Sequence, residues 1–168
     1  VCLVEADLRR PRVSEYLQLN AQTGLTEVLS GQIKLEDALQ DWGRGMLKVL
    51  PPGAIPPNPS ELLGSHQMAQ VISNLKREFD VVILDTSPLL AVSDAAVLAS
   101  QADGAVVVVR HGKSSKDAVR NAVASLEQIN ANILGTVLNA VPVKRGGSYG
   151  YAYGYGYGDG KPSGDYKK

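Results

Sequence analysis

Three acidic residues stand just past short apolar runs. Val1-Cys2-Leu3-Val4 leads into Glu5 and Asp7, and Val81-Val82-Ile83-Leu84 leads into Asp85. Carboxylates at the carboxyl ends of strands can hold a hard divalent cation, directly or through water. Each also has a plainer reading: Asp85 as a turn former, and Glu5-Ala6-Asp7-Leu8-Arg9-Arg10-Pro11 as a surface ion-pair network. If the two runs are neighbouring strands, the acids meet, and a cation is needed before they can approach phosphate. Asp94 can cap a helix after Ser93 or reach such a cation's water shell. Asn139 can read an adenine edge or close a turn. Gly112-Lys113-Ser114 has the ending of a phosphate-cradling G-x-x-x-x-G-K-[ST] loop, but Val107 stands where its first glycine belongs. It reads as an ordinary strand-to-helix turn.

Other polar groups offer less. His66 and His111 lack partners at metal-ligand spacing. Cys2, the single cysteine, reads as buried filler and excludes an internal disulfide, which makes a cytosolic compartment the default. Trp42 reads as local packing under a loop. The chain closes on GGSYGYAYGYGYGDG, with Tyr149, Tyr151, Tyr153, Tyr155 and Tyr157 on every second position. Phenols on glycine hinges suit phosphate acceptance or stacking on bases and sugars, or they are merely sticky. No basic residue interleaves the run's core, which argues against nucleic acid.

Such residues must be positioned by a scaffold. The 168 residues suffice for one domain, and 17 Lys+Arg against 17 Asp+Glu leave no net charge for coating a polyanion. No apolar run approaches the roughly 20 residues of a membrane span, and no signal segment opens the chain. Besides Val1 to Val4, runs at Leu47–Leu50, Val81–Leu84, Ala105–Val109 and Ile133–Leu138 are short and nearly all apolar, the pattern of strands covered on both faces. Between them lie a helix capped by Ser60 and running to Phe79, a short alanine-rich one at Ser93–Ser100, and one from Ser115 to Ile129. Thr23 to Leu39 reads as two short helices broken at Gly31. Five prolines between Pro51 and Ser60 require a rigid loop. The expected fold is α/β, a mostly parallel sheet with helices on both faces. Residues 1–145 form the domain and residues 146–168 a flexible Tyr/Gly tail.

Four features in order resemble one family. Val1 to Pro11 resembles the Walker A′ strand of the bacterial tyrosine autokinases of capsular and exopolysaccharide biosynthesis, with Glu5 where that family usually has Asp. Val82 to Pro88 resembles their Walker B segment, with Ser87 where Pro is commoner. Pro56 to Leu63 resembles their connector, and Leu134 to Asn139 their last core strand. The tyrosine run resembles their autophosphorylated cluster.

The resemblance implies a P-loop NTPase-like fold of the deviant Walker type. It also implies ATP and Mg²⁺ as cofactors and transfer of the γ-phosphate to tyrosine. Glu5, Asp7 and Asp85 would be catalytic, Glu5 or Asp7 taking the phenolic proton and Asp7 and Asp85 holding the metal. Arg9 and Asn139 would bind nucleotide, and the five tail tyrosines would be phosphoacceptors. Implied partners are a membrane-anchored polysaccharide co-polymerase that activates the kinase, further copies in a ring, and a tyrosine phosphatase. The implied location is cytoplasmic, at the inner face of the plasma membrane. The family's Walker A loop precedes its A′ strand, so the fold is expected to be incomplete at its N-terminus and the chain alone inactive. Two other readings compete: a septum-site or partitioning ATPase that dimerises on ATP, and a non-catalytic adaptor using its tyrosine tail.

Overall fold

The computed structural model describes residues 1–142. The boundary expected at residues 145 and 146, and the whole tyrosine cluster from Tyr149 to Tyr157, lie outside the described residues. The centre of the fold is β1 (Cys2–Glu5), flanked by two parallel strands, β3 (Leu47–Leu50) and β4 (Val82–Asp85). Register pairs Cys2 with Lys48 on one side and Glu5 with Asp85 on the other. Cys2 and Val4 are fully buried, as a central strand's side chains must be when both neighbours are paired. A short strand, β2 (Gln40–Trp42), runs antiparallel along the edge of β3 and was not legible as a strand. It places Trp42 on a sheet edge, 42% exposed, rather than under a loop.

The helices follow their caps. The expected helix from Ser60 to Phe79 is two helices, α4 (Pro59–Leu63) and α5 (His66–Glu78). Ser65, not Ser60, caps the longer one by accepting a hydrogen bond from the Met68 amide at 3.2 Å. Met68, Val71, Ile72 and Leu75 then form its buried stripe against the sheet. Ser115 caps α7 (Lys116–Gln128) in the same way, through the Ala118 amide at 3.1 Å. Between Thr23 and Leu39 the chain forms α2 (Leu25–Leu29) and α3 (Leu35–Ala38), separated by Gly31 at φ +74°. The proline loop is tied to α2: Pro51 and Pro52 carbonyls accept from Leu25 and Thr26 at 2.8 and 3.0 Å, and Glu27 accepts from Ala54 at 3.1 Å. A Cβ on Gly24 would sit 2.2 Å from the Pro51 carbonyl oxygen, so only glycine allows this approach.

Cover is uneven across the strands. β5 (Ala105–Arg110) and β6 (Ile133–Asn139) form their own parallel pair, with β5 bearing alternately half-buried and exposed residues. Val106 is 53% and Val108 63% exposed. Of the runs that read as doubly covered, β1 and β3 have no exposed residue among the described residues, β4 and β5 are covered on one face only, and β6 is exposed from Leu134 onward. A short apolar run does not reveal how many of its faces are packed. The remaining helices are α1 (Val13–Leu17), unexpected from sequence, and α6 (Asp94–Ala99).

Candidate active site at the ends of β1 and β4

The parallel pairing of β1 and β4 brings their carboxyl ends side by side. Glu5 and Asp85 are register partners, and the Ala6 amide donates to the Asp85 carbonyl at 2.7 Å. Asp85 remains solvent-accessible. Partial desolvation at the strand end, then the charges of Glu5 and Asp7, raise its carboxyl above the usual range. The three acids are therefore brought together, and their mutual repulsion is felt at Asp85.

Their tasks differ. Glu5 is fully buried and caps α1. Its Oε1 accepts from the Val13 amide at 2.6 Å, and its Oε2 accepts from the Ser14 amide at 2.8 Å and the Ser14 hydroxyl at 2.5 Å. Both of its oxygens are thus committed to one helix start. Asp7 lies half-buried beyond the strand, and its Oδ1 accepts from the Arg9 amide at 3.2 Å, the Arg10 amide at 3.1 Å and the Ser87 hydroxyl at 2.8 Å.

Arg9 turns away from the acids. Its Nε donates to Asp94 Oδ2 at 2.6 Å, and its Nη2 donates to Asp94 Oδ1 and to the Ser60 hydroxyl, each at 3.1 Å. Asp94 does not cap the helix: it is fully buried, and the Ser60 hydroxyl also donates to it. The hydrogen bond from Arg9 holds the Asp94 carboxyl below its usual range against the opposing cost of burial, with Ser60 adding to the effect. The same bond raises the guanidinium. Arg9 thus enters the site with one edge occupied. Asn139, at the end of β6, accepts from the Ala140 amide at 2.7 Å through its side-chain oxygen, the geometry of a turn. Gly112, at φ +67°, and Ser114, which accepts from the Arg110 amide at 3.1 Å, form the plain turn expected of them.

Sequence reasoning missed Ser87 as a donor and Ser60 as a partner of Asp94. It also missed Thr86, whose buried hydroxyl directly after Asp85 has no partner among the described residues. Only the hydroxyl-rich run Thr86-Ser87 hinted at them.

The donor set fits magnesium. Asp7 and Asp85 offer hard oxygen ligands; burial and then the repulsion of Glu5 and Asp7 raise Asp85, and a cation would relieve the repulsion. No three His, Cys, Asp or Glu side chains converge as a cage among the described residues. Magnesium commonly keeps several waters and shares the rest of its shell with phosphate.

Acids at the carboxyl ends of adjacent parallel strands, with helices packed on the sheet, define a P-loop NTPase-like α/β protein. Comparison narrows the class. The kinase domain of the Escherichia coli tyrosine kinase ETK superposes with a TM-score of 0.82 at 39% identity, covering 92% of this chain and 60% of that one. The VpsO kinase domain gives 0.80 at 31% identity, over 84% of this chain and 70% of its own. Tyrosine-protein kinase YwqD of Bacillus subtilis is 40% identical over 151 residues, which are 90% of this chain and 64% of YwqD. The cell division ATPase MinD of Pyrococcus furiosus is more distant, with a TM-score of 0.66 at 27% identity. No family model matches the chain. The chain belongs to the bacterial tyrosine-protein kinase family. It spans less than two thirds of YwqD.

Proposed function

We propose that this chain works in an ATP-dependent protein-tyrosine autokinase that regulates capsular or exopolysaccharide polymerisation and export. The observation that supports the reading is the register of β1 on β4, which pairs Glu5 with Asp85, together with the Ser87 bond that links Asp7 to the end of β4. Asp85 and the uncommitted oxygen of Asp7 would hold magnesium. Bound there, the ion would neutralise phosphate charge and stabilise the charge that develops as the γ-phosphoryl moves. The phenol oxygen bonds to the γ-phosphorus while the bond to the β–γ bridging oxygen breaks and ADP leaves. A carboxylate that binds a cation is a poor base, so Asp7 is assigned to the metal and the phenolic proton to water. Glu5 acts by fixing α1, and Arg9 by bracing the loop that follows β1. Asn139 would meet the adenine through its side-chain NH₂, which the turn bond leaves free.

The tail tyrosines Tyr149, Tyr151, Tyr153, Tyr155 and Tyr157 are the proposed acceptors. The proposed partners are a membrane-anchored co-polymerase that activates the kinase, other copies of the chain in a ring, and a tyrosine phosphatase that resets the tail. These would hold the protein at the inner face of the plasma membrane. No helix among the described residues is long and apolar enough to cross a membrane. The test is the full-length protein with ATP and Mg²⁺. Phosphotyrosine should accumulate and fall at least about 100-fold in Asp85→Asn, the loss expected when a metal worth several kcal/mol is displaced. Near-normal turnover in that variant at saturating Mg²⁺ overturns the assignment of Asp85. ATP-dependent dimerisation without phosphotyrosine would favour the partitioning-type ATPase, and neither outcome the adaptor.

A further inference from the structure

We infer that Ser87 is a positioning residue that decides which oxygen of Asp7 is offered to the cation. The inference rests on the proposed magnesium site and deepens it. Ser87 is 4% exposed, so its hydroxyl has little water to bond and must be used inside the fold. It donates to Asp7 Oδ1 at 2.8 Å. The same oxygen accepts from the Arg9 and Arg10 amides at 3.2 and 3.1 Å. Three donors saturate Oδ1, whereas Oδ2 has no hydrogen-bond partner among the described residues.

The rest of the network keeps this geometry from relaxing. The two amides belong to the loop after β1, and that loop is pinned because the Arg9 side chain is bonded to the fully buried Asp94. Ser87 lies two residues past Asp85, at the end of the neighbouring strand. Its hydroxyl therefore couples the two acids across the strand pair: when Asp85 is placed by β4, Asp7 is turned with it. With the hydroxyl gone, the Asp7 carboxylate keeps only its two loop bonds and can rotate about its last side-chain bond. Outer-shell donors of this kind orient a ligand and raise its affinity for metal, typically by about tenfold or more.

Binding of Mn²⁺ to the full-length protein at saturating ADP, followed by the loss of the free-ion signal in electron paramagnetic resonance, tests this without relying on turnover. Ser87→Ala should weaken Mn²⁺ binding about tenfold and leave the melting temperature nearly unchanged. Ser87→Thr, which keeps a hydroxyl, should stay close to the wild type. Asp7→Asn separates the two levels of the argument. If Asp7→Asn binds Mn²⁺ like the wild type, or the wild type binds none, the metal site itself fails and this inference falls with it. If Asp7→Asn loses binding while Ser87→Ala does not, the site stands and the role of Ser87 is refuted. Equal losses in the Ala and Thr variants also refute it, since the hydroxyl would then not be the cause.

Discussion

Replacing Glu5 with alanine should destabilise the fold by about 3 kcal/mol. The side chain is fully buried and accepts from the Val13 amide, the Ser14 amide and the Ser14 hydroxyl at 2.6, 2.8 and 2.5 Å. A buried donor left without its acceptor costs about 1–3 kcal/mol. Three such donors would exceed the figure, but two effects reduce it. Val13 is only half-buried, so water can reach its amide, and the variant no longer buries a carboxylate charge. For a chain of this size, a loss of about 3 kcal/mol lowers the melting temperature by about 6–12 °C. Glu5→Gln keeps an acceptor oxygen but turns an NH₂ toward the other donors, so about half the loss is expected. Thermal melts of both variants, with phosphotyrosine assays well below the melting point, read stability and catalysis separately. Glu5→Ala should then retain turnover within about tenfold, the variation of a helper rather than of a base. An unchanged melting temperature combined with a 100-fold loss of turnover would refute the reasoning and return Glu5 to the chemistry.

Three further outcomes are expected. The Asp94 carboxyl lies below its ordinary value of 3.8 because Arg9 and Ser60 bond it, so its contribution to stability is complete above that value and lost as the pH falls through the folded-state value. Urea melts should therefore show Asp94→Asn less stable than the wild type at neutral pH, with the gap closing in acid; a gap constant with pH would show that the charge is not what matters. Burial pushes the Cys2 thiol up to about 11, so iodoacetamide near pH 8 should label it only after denaturation, and rapid labelling of the native protein would contradict the packing. Mixing an active protein whose five cluster tyrosines are Phe with an Asp85→Asn partner that keeps them should yield phosphotyrosine on the partner. An unmodified cluster there, despite ATP turnover, would exclude transfer between copies.

The strands and their acids were legible because both depend on local pattern. Five short, mostly apolar runs and an acid after each of two of them define β1, β4 and their ends from sequence alone. The cap of α7 was legible because Ser114 and Ser115 are adjacent and mark nearly the same start, whereas Ser60 and Ser65, five residues apart, competed for α5. Gly64 between them marks the break between two helices. What a side chain does at the site was not legible. Glu5 and Asp7 are equivalent in a sequence, yet one is buried against α1 and the other faces the end of β4. Nothing near Arg9 in the chain indicates that its partner is Asp94. The α1 segment lacks both apolar period and capping side chain, because its cap is supplied by a residue of β1.

The lengths of chain enclosed by these bonds set an order in time. Glu5 reaches Ser14 across nine residues, so the anchor of α1 closes a small loop and can form as soon as β1 does. Ser87 reaches Asp7 across 80 residues and Asp94 reaches Arg9 across 85, so those bonds wait until the two halves of the chain have docked. The oxygen of Asp7 is thus oriented only in a finished fold, and a polypeptide still being synthesised carries its acids without a competent arrangement of them. The same bonds are the ones that a brief parting of β4 from β1 would break, so amide exchange at Ala6, which donates to the Asp85 carbonyl across the pair, should report that opening rather than fraying of α1.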